Sequence, residues 1–190
     1  ELRQETDYVV HHAQKVIAIF AAMRAFARQL KADGHRVRHV PIDDASSRQS
    51  LTANLEALIA HYGASAVEWQ QPDEWRLDAQ LNEWAASQPI ACRAVDSEHF
   101  CTARGEAAEI FAGRKQWLLE HFYRTLRRRH GVLLDADGQP EVGQWNFDAD
   151  NRKSWPGNPP EPADRRPRHD HSVLWQQIEA AGIVTLGQPQ

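Results

Sequence analysis

The sequence predicts an α/β fold in which a parallel sheet is flanked by helices. Three observations support that prediction. Apolar residues recur at helical spacing in several stretches, short apolar runs separate those stretches, and the two kinds of segment alternate along residues 13–96. Such alternation is typical of parallel sheets with right-handed crossover connections. We expect a basic helix, a hairpin and a proline-rich extended segment after this sheet.

A long first helix is predicted over residues 13–32. Its apolar residues recur at the i, i+3, i+4 spacing of one helix face, and they are Val16, Ile19, Phe20, Met23, Phe26, Ala27 and Leu30. Asp33-Gly34 is a typical signal for the end of a helix. Residues 35–42, HRVRHVPI, alternate apolar and basic side chains, which predicts the first strand.

Two more helices and two more strands continue the alternation. The second helix is marked by Leu51, Leu55, Leu58 and Ile59. A short strand follows at 65–69, SAVEW. Pro72 and its acidic neighbours begin a third helix that runs to about Ser87. Residues 89–96, PIACRAVD, complete the series as the third strand.

The pattern changes after Asp96. A helix is predicted near 104–112, a basic helix over 113–131, and a hairpin over 133–145 that turns at Asp137-Gly138. Residues 150–169 hold five of the ten prolines and few apolar residues, which predicts an extended linker or surface strap. The last short helix is predicted from Val173, Leu174, Ile178 and Ile183.

The composition is that of a globular protein. Of the 190 residues, 42% are hydrophobic and 25% are charged, with a formal net charge of −4. No apolar run is long enough for a membrane span, and residues 1–10 do not resemble a signal peptide. The two cysteines, Cys92 and Cys101, do not form a CxxC pair. We therefore expect a cytoplasmic protein whose thiols are small residues in or near the core.

Several familiar chemistries have no motif in this sequence. It contains no Walker loop, no GxGxxG, no GxSxG and no HExxH. Histidines are numerous, as in His11-His12 and His169-Asp170-His171, but adjacent histidines on a helix point in different directions. We predict surface or capping histidines, no metal site and no catalytic residue in this chain.

Residues 5–15, ETDYVVHHAQK, precede the first helix and carry a varied set of polar side chains. Glu5 offers a carboxylate, Tyr8 an aromatic ring and Lys15 an ammonium group, with two imidazoles between them. An aromatic ring with fixed polar groups suits a flat heterocycle, because stacking gives contact area and hydrogen bonds give orientation. A polar loop with acids that cap a helix explains the same residues equally well.

The basic helix carries six cations against one acid, Glu120. The cations are Arg114, Lys115, Arg124, Arg127, Arg128 and Arg129, and a buried stripe is predicted from Trp117, Leu118, Phe122, Thr125 and Leu126. A solvated basic face is the commonest explanation of such a run, and phosphate binding is the second. The pattern does not separate contact with DNA from docking against an acidic domain.

Four stretches together resemble the bacterial deoxyribodipyrimidine photolyase-related proteins, the iron–sulfur (6-4) photolyases and their cryptochrome-like relatives. The stretches are residues 5–44, DEWR at 73–76, AGRKQWLLEHFYRTLRRRHGVLL and GQPEVGQWNFDADNRK. They keep their order over residues 5–153. The resemblance implies a Rossmann-like antenna domain, followed in the family by a helical domain that binds FAD and a [4Fe–4S] cluster through four cysteines.

The resemblance also implies a ligand and its site. The family's antenna chromophore is a ribityllumazine, 6,7-dimethyl-8-ribityllumazine, held by the equivalents of Glu5, Tyr8 and Ile19. Tyr8 and Glu5 would stack and hydrogen-bond, and Ile19 would form an apolar wall. In the family's whole enzyme, light absorbed by the lumazine excites reduced FAD. The excited FAD then donates an electron to the (6-4) lesion in DNA.

The sequence departs from the family in its cysteines and at its ends. Two cysteines do not match four cluster ligands, nothing resembles the FAD domain, and the family's opening strands are not found. We therefore expect an antenna domain at 1–132 that lacks its first strands. A hairpin, linker and short helix at 133–190 would lead toward an absent FAD domain. Such a fragment is expected to be inactive alone, and exposed sheet edges would favour dimerisation or strand exchange.

The basic helix is then expected to meet the protein's own FAD domain, and secondarily to extend a surface for DNA. Two other functions remain open on the sequence. One is a cryptochrome-like blue-light signalling protein, and the other is an unrelated small nucleotide-binding α/β domain.

Overall fold

The computed structural model describes residues 1–152, 154, 157–158, 160–165 and 168–189. Within them the chain forms eight helices and four short strands. In order these are α1 (Gln4–Asp7), β1 (His11–His12), α2 (Ala13–Ala32), α3 (Leu51–Tyr62), β2 (Ala66–Gln70), α4 (Trp75–Ala86), β3 (Ala91–Val95), α5 (Glu106–Ile110), α6 (Leu119–His130), α7 (Asp148–Asn151), α8 (Ser172–Ala180) and β4 (Thr185–Leu186). No helix among them has the length and apolar composition that crossing a membrane requires.

The chain divides into two compact units. Unit 1 comprises Glu1–Val67, Trp75–Cys92 and Arg165–Gln190, and unit 2 comprises Glu68–Glu74 and Arg93–Asp164. The domain division at residue 132 concerns the organisation of the whole protein and stays a prediction.

Helix α2 spans Ala13–Ala32, as its apolar spacing predicted. His12 lies in extended backbone before it and caps its start, because the His12 Nδ1 accepts a hydrogen bond from the Gln14 N–H at 3.2 Å. The helix ends where Gly34 adopts a φ of +89°, a conformation that glycine reaches without strain. One face of α2 is buried, through Ala13, Val16, Ile17, Phe20 and Ala27.

The core of unit 1 joins α2 to the C-terminal helix α8. It consists of Val16, Ile17, Phe20, Ile42, Leu174, Ile178 and Ile183. Ile178 has no exposed surface, and full burial of such a side chain contributes about 1.5–3 kcal/mol. The predicted final helix is confirmed as Ser172–Ala180, and Ile183 packs just beyond its end.

The strands form two separate pairs. Strand β1 pairs in parallel with β4, so that His11 faces Thr185 and His12 faces Leu186. Strands β2 and β3 pair with their carboxyl ends together, since the Gln71 N–H donates to the Val95 carbonyl at 2.8 Å. The mixed α/β character is therefore confirmed, as are β2, β3, α3 and α4 close to their predicted places. One Rossmann-like sheet stays a prediction.

The prediction of a strand at residues 35–42 is wrong. These residues are irregular and pair with no strand in the described part of the chain. The alternating pattern describes which side chains are apolar, whereas a strand also needs a neighbouring backbone for its hydrogen bonds. The C-terminal part of the segment is bound to Glu1 through the His39 ring, the Val40 carbonyl and the Ile42 N–H.

The basic helix is shorter than predicted. Residues 113–118 are not helical, since Gly113 adopts a φ of +73° and Leu118 is extended, and α6 covers Leu119–His130. Of the predicted buried stripe, Trp117 and Leu118 are 60% and 58% exposed. Trp117 instead stacks on the buried Phe111, with ring centroids 5.2 Å apart.

Three further predictions concern the hairpin, the proline-rich segment and the two cysteines. The hairpin is reduced to a turn at Gly138 closed by a single antiparallel bridge, Leu134 with Pro140. Six of the twenty residues predicted as the proline-rich segment lie outside the described residues, and its described positions beyond α7 have no helix or strand. Cys92 is half-buried, but Cys101 is exposed, so the expectation for that thiol is wrong.

Candidate functional site

Unit 1 contains a cavity of about 420 Å³, a size that is ordinary for binding sites of small molecules. The four residues predicted to bind a cofactor all line it: Glu5, Tyr8, Lys15 and Ile19. The rest of the wall is mostly apolar, with Leu2, Val16, Phe20, Met23, Val40, Leu51, Leu55, Leu58 and Leu77. The structure thus brings the predicted residues together around one apolar space.

Local structure explains why these four side chains converge. Glu5 lies on the single turn of α1, and Tyr8 follows that turn directly. Lys15 and Ile19 are four residues apart on α2, so they share one helix face. Tyr8 and Ile19 remain 57% and 48% exposed, which leaves their apolar surface available to a ligand.

Arg76, on the first turn of α4, contacts two of these residues at once. Its Nη2 lies 2.8 Å from Glu5 Oε2, and its guanidinium carbon lies 4.2 Å from the centroid of the Tyr8 ring. Glu5 also accepts a hydrogen bond from the Gln4 side chain at 3.1 Å. Sequence reasoning used DEWR only as part of a resemblance and assigned no role to Arg76.

Lys15 is held near the same ring. Its Nζ lies 3.1 Å from the His11 Nδ1, and the ammonium group must be the donor because it has no lone pair to accept with. The His11 ring meets Tyr8 edge-on, with centroids 5.3 Å apart. The sequence predicted His11 to be a surface or capping histidine and one of two imidazoles in this segment, and here its ring links the lysine to the tyrosine.

These groups can bind a flat heterocycle with a polar tail. The Tyr8 ring offers a stacking surface, the carboxylate of Glu5 accepts hydrogen bonds, and Lys15 donates them. The apolar walls favour a planar ring over water.

Glu1 also lines the cavity, and its carboxylate is fully buried. It accepts two hydrogen bonds from Arg24, at 2.6 and 2.8 Å, and one from the Ile42 N–H at 3.0 Å, with His39 Nε2 at 3.1 Å. Burial raises the pKa of the Glu1 carboxyl, but these bonds outweigh it and hold the pKa below its ordinary value of 4.5. The Glu1 cluster, which consists of Glu1, Arg24, His39 and the Ile42 N–H, keeps the Glu1 carboxylate charged and fixes one wall of the cavity.

Unit 2 carries the basic helix, and three of its six predicted cations form ion pairs or hydrogen bonds with other groups of unit 2. Arg124 pairs with Glu120 at 2.6 Å, and Arg129 pairs with Glu106. Arg127 is 7% exposed and donates to the carbonyls of Val132 and Leu133. Arg127 therefore closes the turn after α6 and is not presented at the surface.

The other three cations are exposed. Arg128 lies over the Trp145 ring at 4.6 Å, where Arg124 and Arg127 also approach. Arg114 and Lys115 precede α6, and neither forms an ion pair within the resolved portion of unit 2. The basic surface that a partner can reach is thus formed mainly by Arg114, Lys115 and Arg128.

The histidines do not cluster around a cation position. His12 caps α2, and His169 and His171 lie 5.8 Å apart as ring centroids. Across the described ranges, no group of three or more histidine, cysteine or acidic side chains has a geometry for holding a metal ion.

The structure shows a mixed α/β chain with an apolar cavity in unit 1, and comparison with known proteins gives its family. A model of the deoxyribodipyrimidine photo-lyase-related protein family matches residues 1–190. The chain belongs to this family.

The chain is also similar to one protein whose activity is named. The (6-4) photolyase of Agrobacterium fabrum (strain C58) is 37% identical over 169 residues, which is 89% of this chain. Those residues are 32% of the relative, so the chain spans about a third of the length of that protein.

Proposed function

We propose that this chain is the antenna part of a photolyase-related flavoprotein, and that the cavity of unit 1 binds 6,7-dimethyl-8-ribityllumazine. One observation carries the proposal: Glu5, Tyr8, Lys15 and Ile19 line the same apolar cavity. Their chemistry suits the ligand, because Tyr8 can stack on the ring, Ile19 can pack against it, and Glu5 and Lys15 can bond its polar atoms. Bound lumazine would absorb light and pass the excitation to reduced FAD.

The activity of the whole protein is proposed from the family and the named relative. We propose light-dependent repair of (6-4) photoproducts in DNA, supported by the identity to a (6-4) photolyase. A cryptochrome-like signalling role is the second candidate, because the family name does not specify repair. A repair assay on the full-length protein under blue light distinguishes the two. Membership of the family argues against an unrelated nucleotide-binding domain.

The other cofactors are proposed to lie outside these residues. A [4Fe–4S] cluster takes four cysteine thiolates, and this chain has two cysteines. We assign no residue here to FAD. We also propose that the two strand pairs belong to a Rossmann-like parallel sheet in the whole protein, which we expect to be cytoplasmic.

The basic surface is proposed to meet the protein's own FAD domain, with DNA contact as the second possibility. Three of the six cations, Arg124, Arg127 and Arg129, already have partners within unit 2. The remaining exposed charge is small for a DNA surface, since DNA affinity grows with the number of phosphates neutralised.

A titration tests the antenna proposal. Lumazine is added to the purified protein and followed by absorption and fluorescence, for the unaltered protein, Ile19→Trp and Phe26→Trp. Ile19→Trp fills part of the cavity and is expected to weaken binding by about tenfold or more, since overpacking costs about 1–3 kcal/mol. Phe26 is 65% exposed on the same helix and does not line the cavity, so its variant should bind within about twofold.

Two results would contradict the proposal. One is a folded, unaltered protein that does not bind lumazine. The other is Ile19→Trp binding as tightly as the unaltered protein.

A further inference from the structure

Helix α4 contacts the short helix α1 through two side chains that are one turn apart. Gln80 accepts a hydrogen bond from Gln4 at 2.7 Å, and Arg76 bonds Glu5 at 2.8 Å. Because Arg76 and Gln80 are an i, i+4 pair, they lie on the same face of α4. One face of α4 therefore fixes two successive residues of α1.

The position of Arg76 in its own helix is electrostatically unfavourable. It lies on the first turn of α4, where the partial positive charge of the helix N-terminus disfavours a cation. Glu5 provides one compensating charge, and Asp78 on the same turn of α4 is also acidic. Both side chains are about one-third exposed, so water screens the pair only in part.

Arg76 also orients the aromatic ring of Tyr8. Its guanidinium lies over the ring at 4.2 Å, and His11 meets the same ring edge-on. These two contacts, one with a guanidinium and one with a T-shaped imidazole, restrict the orientation of the Tyr8 ring. The remaining surface of the half-exposed ring is the part that a ligand can stack on.

Glu5 and Tyr8 line the cavity, whereas Arg76 does not. We propose that Arg76 is the positioning residue of this site: it holds the carboxylate of Glu5 and the ring of Tyr8 in their ligand-binding geometry. This inference rests on the proposed lumazine function. Arginine suits the role because its planar fork can stack on the ring while it bonds the carboxylate, which a lysine cannot do.

The test compares lumazine binding by Arg76→Gln, Arg76→Lys and the control Arg28→Gln in the full-length protein. Arg76→Gln loses both the ion pair and the stack, and its affinity should fall roughly tenfold or more. Arg76→Lys keeps the charge but loses the planar stack, and its loss should be intermediate, about threefold. Arg28 is an exposed arginine of the same unit, and its variant should bind within about twofold.

Two further readouts separate positioning from a general structural role. The absorption maximum of bound lumazine should move in Arg76→Lys, which changes the orientation of Tyr8 and retains the charge. In a Tyr8→Leu background, Arg76→Gln should lower lumazine affinity by a smaller factor, because Arg76 then has no Tyr8 ring to orient. A merely structural arginine would lower the free energy of unfolding and leave the absorption maximum in place.

The outcomes are distinct. If the unaltered protein does not bind lumazine, the proposed function fails and this inference fails with it. If the unaltered protein binds and folded Arg76→Gln binds within about twofold of it, the inference alone is overturned. Should Arg76→Gln fail to fold, Arg76→Lys decides, and unchanged affinity together with an unmoved absorption maximum overturns the proposal.

Discussion

The buried carboxylate of Glu1 shows how a single charge is tolerated in the interior of unit 1. Arg24 holds it with two short bonds and is itself bonded to Gln177 at 2.7 Å. A buried charge is costly unless its hydrogen bonds are complete, and breaking such a pair costs more than the pair contributes. The cluster therefore ties residue 1 to α2 and α8.

This cluster gives unit 1 a dependence on pH. The pKa of Glu1 is lowered in the folded state, so its contribution to stability is present above the ordinary value of 4.5. It is lost as the pH falls through the lower pKa of the folded state. Glu1→Gln should cost about 2 kcal/mol at pH 7, and the deficit should shrink as the pH falls below the ordinary value of 4.5.

Urea unfolding at several pH values measures this effect. Asp7→Asn is the matched control, because the Arg3–Asp7 pair is about half exposed in the same unit and should contribute less than about 1 kcal/mol. A Glu1→Gln deficit that is equal at pH 7 and pH 3 would show that the carboxylate charge is not responsible.

At the scale of elements, the start of α2 depends on a glycine far along the chain. His12 caps α2, and its ring packs against Gly187, just after β4. Gly187 has a φ of +69°, and a Cβ added there would collide with the His12 ring. The pairing of β1 with β4 brings the two residues together.

Gly187→Ala is therefore expected to destabilise unit 1 by about 2–4 kcal/mol, through backbone strain and displacement of the capping histidine. Gly63→Ala is the matched control, since Gly63 has a φ of +60° but open space where its Cβ would lie. That variant should lose only about 1 kcal/mol. Equal losses in the two variants would rule out the collision with His12.

Elements of five or more residues with a visible apolar pattern could be predicted from the sequence, whereas the elements of two to four residues could not. Helix α2 carries five turns of one amphipathic pattern, so both its start and its end were found. Helix α1 has four residues, and β1 and β4 have two each, which is too short for any period to appear. Residues 35–42 were misjudged because a strand depends on its partner as well as on its own pattern.

In the candidate site, the residues that lie close together in the sequence could be predicted, and the residue that lies far along the chain could not. Glu5, Tyr8 and Lys15 lie within eleven residues of one another, and their chemistry was visible in the sequence, while Ile19 came from the family resemblance. Arg76 was missed because its contacts span about seventy residues of chain. The sequence signal was an arginine at a helix start, where its charge is unfavourable without a partner.

At the scale of the whole molecule, many large apolar side chains remain exposed. Trp75, Leu119 and Val142 are 81%, 78% and 70% exposed, and exposed apolar side chains mark a contact surface where they form a contiguous patch. This exposure is compatible with docking to an FAD domain. It is equally compatible with the expected dimerisation of the chain alone.

A salt titration distinguishes the two proposed uses of the basic surface. Arg114, Lys115 and Arg128 are changed together to glutamine in the full-length protein, and DNA affinity is measured from about 50 to 200 mM salt. Docking against the FAD domain predicts an unchanged salt slope and a lower thermal midpoint. A slope reduced by about one to three would instead assign these residues to DNA phosphates.

The most direct test of the central claim is a crystal structure of the protein grown with 6,7-dimethyl-8-ribityllumazine. The account predicts ligand density in the cavity of unit 1, with the ring against Tyr8 and Ile19 and Arg76 on the far side of Tyr8. An empty cavity at saturating lumazine, or lumazine bound elsewhere, would contradict the assignment of this site as the antenna.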